Sequence, residues 1–269
     1  MKLVMVVSRV RLAWGYSIRY AGASAAQPAL PLPPPTSIVG FYAEPLARLA
    51  GLPEKGPRSV ISLLAGAVYA AAAGLDPGGR VGVAVYADAT RILSLVFQRK
   101  RKEWQKYAWA VQSMGAAYAP GATLYLALLL DAEKAARSLG LATGRLIEAL
   151  QAAGWRLGAK EGLAAPVETI AGEPVGSTGE YESILYQDSR AASHTRGTVV
   201  EVDMWGLEAL TRRSPTPSYR VFMVPASPES TPSLILPPYE PAAFTPRSGR
   251  RAYCLEEAPE GLCVAAETG

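Results

Sequence analysis

One short run of the chain has the residue types to hold a polyanion. Gln98-Arg99-Lys100-Arg101-Lys102-Glu103-Trp104-Gln105-Lys106-Tyr107-Ala108-Trp109 sets five basic residues against one acid and interleaves them with three aromatics. Arg99, Lys100, Arg101, Lys102 and Lys106 could neutralise phosphates while Trp104, Tyr107 or Trp109 stack on splayed bases, a combination that single-stranded RNA rewards. The same run also reads as a solvated amphipathic helix whose aromatics face the core.

His194 is the only histidine, set in Asp188-Ser189-Arg190-Ala191-Ala192-Ser193-His194-Thr195-Arg196-Gly197. Flanked by Arg190 and Arg196, it is the sharpest enzymatic candidate, as a general base. A lone loop histidine without a second acid or base nearby reads instead as a surface or RNA-contact residue, and Arg196 joins the expected RNA contacts on the same ground. Phosphate-binding Gly-x-x-x-x-Gly-Lys-Ser/Thr, His-Glu-x-x-His and strand-flanked Gly-x-Gly-x-x-Gly motifs are all missing from the sequence. The five aspartates stand singly, which argues against a multi-carboxylate magnesium site. Cys254 and Cys263 have neither a second cysteine pair nor a histidine close by, so zinc is not expected and a disulfide stays open. No cofactor and no metal are expected.

A second stretch positions something rather than reacting with it. Tyr20 to Gln27 is a loop of small residues that would let an RNA backbone approach closely, with Arg19, Tyr20 and Gln27 as contacts; an ordinary mobile loop is the alternative. The proline run from Pro28 to Pro35 then favours a stiff extended path, and Thr36 or Ser37 can cap the helix that follows. That helix spans Thr36 to Ala50, with Ile38, Val39, Tyr42, Leu46 and Leu49 at helical spacing, Pro45 as a kink and Gly51 as the stop.

Around these segments the pattern predicts a strand over Lys2 to Ala13, with Arg9 and Arg11 on one face near its end. An apolar helix is expected over Ser59 to Ala73, then strands over Arg80 to Tyr86 and Arg91 to Gln98, or one long bent strand. After the basic run come a strand from Ala122 to Leu130, a helix capped by Asp131 and loosened at Gly140 and Gly144, and a strand over Trp155 to Glu161. The order is that of an α+β ferredoxin-like (RRM-like, βαββαβ) domain over residues 1–165, with a basic insertion at about 99–118. Residues 166–269 form short β-prone runs between Gly, Pro and Ser, a β-rich C-terminal lobe.

At 269 residues, 49% hydrophobic and 19% charged, the chain can bury a large core. A net charge of +4 permits nucleic-acid binding without demanding it. There is no asparagine, as expected where thermolabile side chains are avoided, which points to a hyperthermophile. The first apolar run is shorter than a signal peptide's, and Val60 to Leu75 falls short of the roughly 20 residues of a membrane span, so a cytoplasmic protein with no membrane partner is expected.

Pro28-Ala29-Leu30-Pro31-Leu32-Pro33-Pro34-Pro35-Thr36-Ser37-Ile38-Val39-Gly40, after an N-terminal strand, resembles the entry to the first helix of the CRISPR-associated family-five RAMP proteins. Arg156-Leu157-Gly158-Ala159-Lys160-Glu161-Gly162-Leu163 is similar to their Arg-Leu-Gly-Ser-Lys-Glu-Ser-Leu segment, departing at Ala159 and Gly162. With the βαββαβ order these motifs are most like the archaeal type I-A branch, and the likeness weakens after Pro166. The resemblance implies a non-catalytic subunit of a Cascade effector complex in antiviral defence, bound to the 5′ handle of CRISPR RNA at the end of the backbone filament. Its implied partners are that RNA, the backbone subunit, the large subunit and, indirectly, a helicase-nuclease. The basic excursion would be the family's thumb, and Arg156 and Lys160 join the expected RNA contacts. Two alternatives stand beside this: a repeat-RNA endoribonuclease using His194, and a scaffold whose interfaces are protein alone.

Overall fold

Alternation along β1 (Leu3–Leu12) sends Val4, Val6, Ser8, Val10 and Leu12 to one face and Arg9 and Arg11 to the other. The computed structural model describes residues 1–18, 20, 29–53, 56, 58–94, 109–158, 162–210 and 219–268. It places β1 in a four-stranded sheet between β6 (Thr123–Asp131) and β7 (Ala164–Gly172), with β3 (Val68–Leu75) on the far side of β6. All neighbours in the order β3-β6-β1-β7 are antiparallel. Every residue from Leu124 to Leu130 is buried, as a central strand covered on both faces requires.

The helices cover the Ser8 face. Helix α1 (Pro35–Ala50) packs on β3 and on α4 (Thr143–Ala152), while α2 (Val60–Leu64) packs on α1 and on α3 (Ala132–Leu139). Tyr42 fastens α1 to the sheet: its buried hydroxyl donates to the Leu126 carbonyl at 2.8 Å and sits 2.9 Å from Ser8 Oγ. Asp131 caps α3 by accepting the Lys134 N–H, and Gly140 and Gly51 end α3 and α1 in left-handed conformations, as their sequences predict.

A second sheet, β14-β4-β5-β2, is built on the long hairpin of β4 (Val83–Ser94) and β5 (Trp109–Tyr118), flanked by β2 (Gly15–Tyr16) and β14 (Leu234–Ile235). The C-terminal lobe adds three small sheets. They are β8 (Val175–Ser177) with β16 (Arg251–Cys254) and β17 (Cys263–Ala266); β9 (Tyr181–Ser183) with β15 (Ala242–Pro246) and β11 (Ala192–Arg196); and β10 (Gln187–Asp188) with β13 (Tyr219–Pro225) and β12 (Val199–Trp205). A disulfide joins Cys254 to Cys263 across β16 and β17. The chain is thus a strand-rich α+β protein with antiparallel sheets and, among the described residues, four α-helices.

Three expectations change. The apolar helix over Ser59 to Ala73 is only the short α2; Val68–Leu75 is strand β3, because pairing Ala71–Leu75 against Leu128–Leu124 buries the run in the sheet and this tertiary gain overrides the local helix preference of alanine. The strand expected over Trp155 to Glu161 is supplied instead by β7, which pairs with β1 from Met5 to Leu12. Neither Thr36 nor Ser37 caps α1: Pro34 is the cap residue, its carbonyl accepts the Ser37 and Ile38 N–H groups, and Pro35 has no N–H to satisfy. The choice left open between two strands and one bent strand resolves as the single β4, whose register shifts between Asp88 and Arg91.

Candidate nucleic-acid interface

The ends of the small-residue loop are held by buried groups. Leu30 donates its N–H to the Ile18 carbonyl at 2.8 Å, closing the loop at its base. Tyr16, fully buried in β2, donates its hydroxyl to the Pro31 carbonyl at 2.6 Å, and Tyr186 of the C-terminal lobe donates to the Pro33 carbonyl at 2.9 Å. Burial pushes both phenols well above their usual pKa, so they stay neutral donors. A proline run offers carbonyls without N–H groups, and these two tyrosines satisfy two of them.

Two other expected contact segments meet the loop at the same point. Ser17 Oγ donates to the Gly115 carbonyl of β5 at 2.8 Å, tying the loop to the root of the hairpin. On the other side lies the turn of residues 156–163, closed by the Leu157 N–H to Gly162 carbonyl bond at 2.7 Å and by the Arg156 to Leu163 bridge. Gly158 has φ +69°, and a Cβ there would stand 2.4 Å from Ile18 Cγ1 and 2.9 Å from the Ser17 carbonyl oxygen. Only glycine lets the turn close this tightly on Ser17 and Ile18.

Of the expected contacts in this neighbourhood, Arg156 and Tyr20 are placed. Arg156 lies 5.7 Å over the Trp155 ring, whose Nε1 donates to Glu44 of α1, and it borders a groove of about 280 Å³ lined by Ser37, Phe41 and Ile61. Tyr20 is half-buried, 5.6 Å from the Tyr219 ring, and Tyr219 is in turn 6.2 Å from Trp205, whose Nε1 donates to Thr36 Oγ1. Burial, with Asp203 and Tyr219 nearby, raises the Tyr20 phenol above its ordinary pKa. Arg19, Gln27, Arg99, Lys100, Arg101, Lys102, Trp104, Lys106 and Lys160 lie outside the described residues.

His194 and Arg196 belong elsewhere, on β11 of the C-terminal lobe. Arg196 pairs with Glu182 at 2.8 Å, and His194 Nε2 sits 3.0 Å from the Arg196 carbonyl with its ring 5.7 Å from Phe244. The imidazole is occupied by its own strand and by β15.

Other basic residues were not singled out in the sequence for this role. Arg9, on the sheet face opposite the helices, donates from Nε at 3.1 Å and Nη2 at 2.8 Å to Asp76 Oδ2, and Arg11 is exposed beside Gly121 and Trp155. Arg190, Arg220 and Arg250 line a cleft of about 310 Å³ between β3 and the C-terminal lobe. Burial opposes the Arg220 charge, but bonds of 2.6 Å to Asp188 and to Glu208 outweigh it and hold its pKa above the usual value. No local sequence signal marks that cleft, because its walls come from distant segments. Among the described residues no group of three or more His, Cys, Asp or Glu could hold a metal, and no helix is long and apolar enough to cross a membrane.

Fold and junction together define an α+β protein in which Ser17 and Ile18 meet Leu30, Gly115 of β5 and Gly158 at one point. The family model described as CRISPR-associated protein (Cas_Cas5) matches residues 5–229, and the chain belongs to that family. No curated protein sequence matches it. A CRISPR protein from Archaeoglobus fulgidus shares the fold at a TM-score of 0.61 and 15% identity, over 99% of this chain and 100% of that one. A chain of a CRISPR RNA-guided surveillance complex overlaps at a TM-score of 0.30 and 10% identity over 69% of each chain. A chain of a Type III-B Cmr-beta bound to cognate target RNA overlaps at 0.32 and 11%, over 89% of this chain and 86% of that one. These two overlaps fall short of a common fold.

Proposed function

We propose that this chain is a non-catalytic, RNA-binding subunit of a CRISPR effector complex, gripping the 5′ handle of the guide RNA and capping the backbone filament. The observation that carries the reading is the junction at Ser17 and Ile18, where the loop base, the β5 root of the basic hairpin and the 156–163 turn are in direct contact. Three segments expected to touch one strand of RNA would then do so from one cleft, with the thumb residues closing over what the loop positions.

The finer assignments belong to the same proposal. A ferredoxin-like unit is supported by the order β3-β6-β1-β7 with helical crossovers on one face, and it would run through β7 to Gly172 before the C-terminal lobe. Membership of an archaeal type I-A Cascade from a hyperthermophile rests on the Arg156–Leu163 and Pro28–Gly40 likenesses and on the missing asparagine. The backbone and large subunits would be the neighbours, the helicase-nuclease an indirect one, and the cytoplasm the compartment.

Ultraviolet crosslinking of the assembled complex to its guide tests this. Crosslinks are expected within residues 19–28, 99–109 and 156–163. Crosslinks confined to the lobe beyond Gly172 would overturn it.

A further inference from the structure

Strand β12 ends its sheet with one long side open. In the order β10-β13-β12 it pairs with β13 alone among the described strands, from Val199 against Pro225 to Trp205 against Tyr219. Val200, Val202 and Met204 are buried in the hydrophobic core, and Glu201 and Asp203 between them are exposed.

Which backbone groups the open side presents follows from two hydrogen bonds. Thr198, just before β12, accepts the Ala226 N–H at 3.2 Å. Val221, the register partner of Asp203, turns its carbonyl the other way, to the Ser189 N–H at 3.1 Å. Bonded and non-bonded pairs alternate along an antiparallel ladder. Val200, Val202 and Met204 therefore spend their N–H and C=O groups on β13, whereas those of Val199, Glu201 and Asp203 point outward. Pro225 agrees, since it faces Val199 at a position where the ladder needs no donor. The outward backbone groups and the two exposed carboxylates thus belong to the same residues.

The edge is held in shape before anything meets it. Its inner face is packed in the core, and Trp205 at its end donates from Nε1 to Thr36 Oγ1 of α1. Arg220, the basic residue of β13, is engaged by Asp188 and Glu208 at 2.6 Å each, so Glu201 and Asp203 set the charge of this side.

That charge selects among occupants. Two carboxylates repel phosphates, so RNA is a poor match. A second copy fares no better: antiparallel pairing of two β12 edges about Val202 sets Glu201 against Asp203 twice, and like charges directly opposite oppose pairing. A strand with cations at alternate positions satisfies both the outward N–H and C=O groups and the carboxylates beside them.

We propose that the β12 edge is a docking site for an extended protein segment with Lys or Arg at positions i and i+2, which adds a strand to the β10-β13-β12 sheet. Main-chain bonds to Glu201 and Asp203 supply the affinity, and their carboxylates fix the register by pairing with the two cations. The inference rests on the assembly part of the reading above and on no RNA contact.

The test uses the full chain and a blocked synthetic peptide in which valine and lysine alternate, followed by hydrogen exchange resolved to single amides. One control peptide carries Glu in place of Lys. The other is N-methylated at its lysines, which keeps the charge but removes the donors that would bond the edge. The Glu201 and Asp203 amides should exchange fast in the free chain and slowly with the Lys peptide, which should bind about 10-fold or more tightly than either control. Changing Glu201→Lys and Asp203→Lys together should reverse the preference to the Glu peptide with the melting temperature unchanged. Equal binding of the N-methylated peptide reduces the site to charge alone and overturns the docked strand. Exchange at the two amides that excess peptide leaves unchanged overturns it as well. So does exchange that slows on raising the protein concentration without peptide, which would make the edge an interface between copies, or that slows with guide RNA instead of the peptide. The RNA-binding reading is decided by the guide crosslinks, so the two proposals fail separately.

Discussion

Tyr186, in the C-terminal lobe, donates its buried hydroxyl to the carbonyl of Pro33, 153 residues earlier, at 2.9 Å. The bond fastens the proline run to the lobe from one side as Tyr16 fastens Pro31 from the other. The stiff path between the small-residue loop and α1 is therefore held by tertiary contacts as well as by its prolines.

Replacing Tyr186 by Phe should leave the Pro33 carbonyl without its donor and cost about 1–3 kcal/mol, read as a fall in melting temperature of several degrees. The change also alters the alkaline limb of stability. Tyr16, Tyr42 and Tyr186 are wholly buried and their folded pKa values lie above the ordinary value of 10.0. The unfolded chain releases these protons near pH 10 while the folded chain keeps them, so their contribution is complete below that pH and is lost as pH rises above it. Each buried tyrosine adds a slope of about 1.4 kcal/mol per pH unit there, and Tyr186→Phe should remove one such share in denaturant titrations. An alkaline limb identical to the parent's would contradict this.

Changing Lys100, Arg101, Lys102 and Lys106 together to Ala should reduce the slope of log affinity against log salt by about 3, the effect of four lost phosphate contacts on a single strand. Binding isotherms at several salt concentrations read it directly. A slope equal to the parent's takes the basic run out of the interface.

Converting Cys254 and Cys263 together to Ser opens a loop of sequence separation 9 and should cost about 2–3 kcal/mol. Thermal unfolding with and without reductant gives a parallel measurement, and the Ser pair should be insensitive to reductant. The guide-binding affinity should stay within a factor of two or so, since the disulfide lies in the β8–β16–β17 sheet, away from the Ser17 junction.

Repeat RNA incubated with the purified chain in EDTA should remain intact, and His194→Ala should change nothing. His194 Nε2 already lies against the Arg196 carbonyl and its ring against Phe244. Specific scission by the parent that disappears in His194→Ala would establish the endoribonuclease in place of the passive subunit.

Much of the helical layer was legible because its signals are local. Gly51 and Gly140 end α1 and α3 in the left-handed region that glycine alone enters freely, and Asp131 caps α3 through a bond to a residue three positions on. The short β-prone runs after Pro166 likewise became short strands, since turn residues punctuate them at close intervals. For the candidate site, the sequence named the segments but not their meeting point: Ser17 reaches Gly115 and Gly158 abuts Ile18 across about 100 and 140 residues of chain, with nothing in the local text to announce either contact.

By itself, then, the order of residues determined the glycine stops of α1 and α3, the Asp131 cap of α3, the stiff proline path, the placement of basic charge and the family likeness, all of which depend on neighbours within a turn or a short motif. Only the tertiary structure decided that Val68–Leu75 is a strand, that β7 closes the sheet beside β1, and that Arg9 spends its charge on Asp76. The same structure brought three distant segments together at Ser17 and Ile18. The physical reason is common to all of these: the local preference of an Ala-rich run is for helix and that of an arginine or a small-residue loop is weak, and the burial and hydrogen bonds that settle their states come from partners that meet them only when the chain is folded.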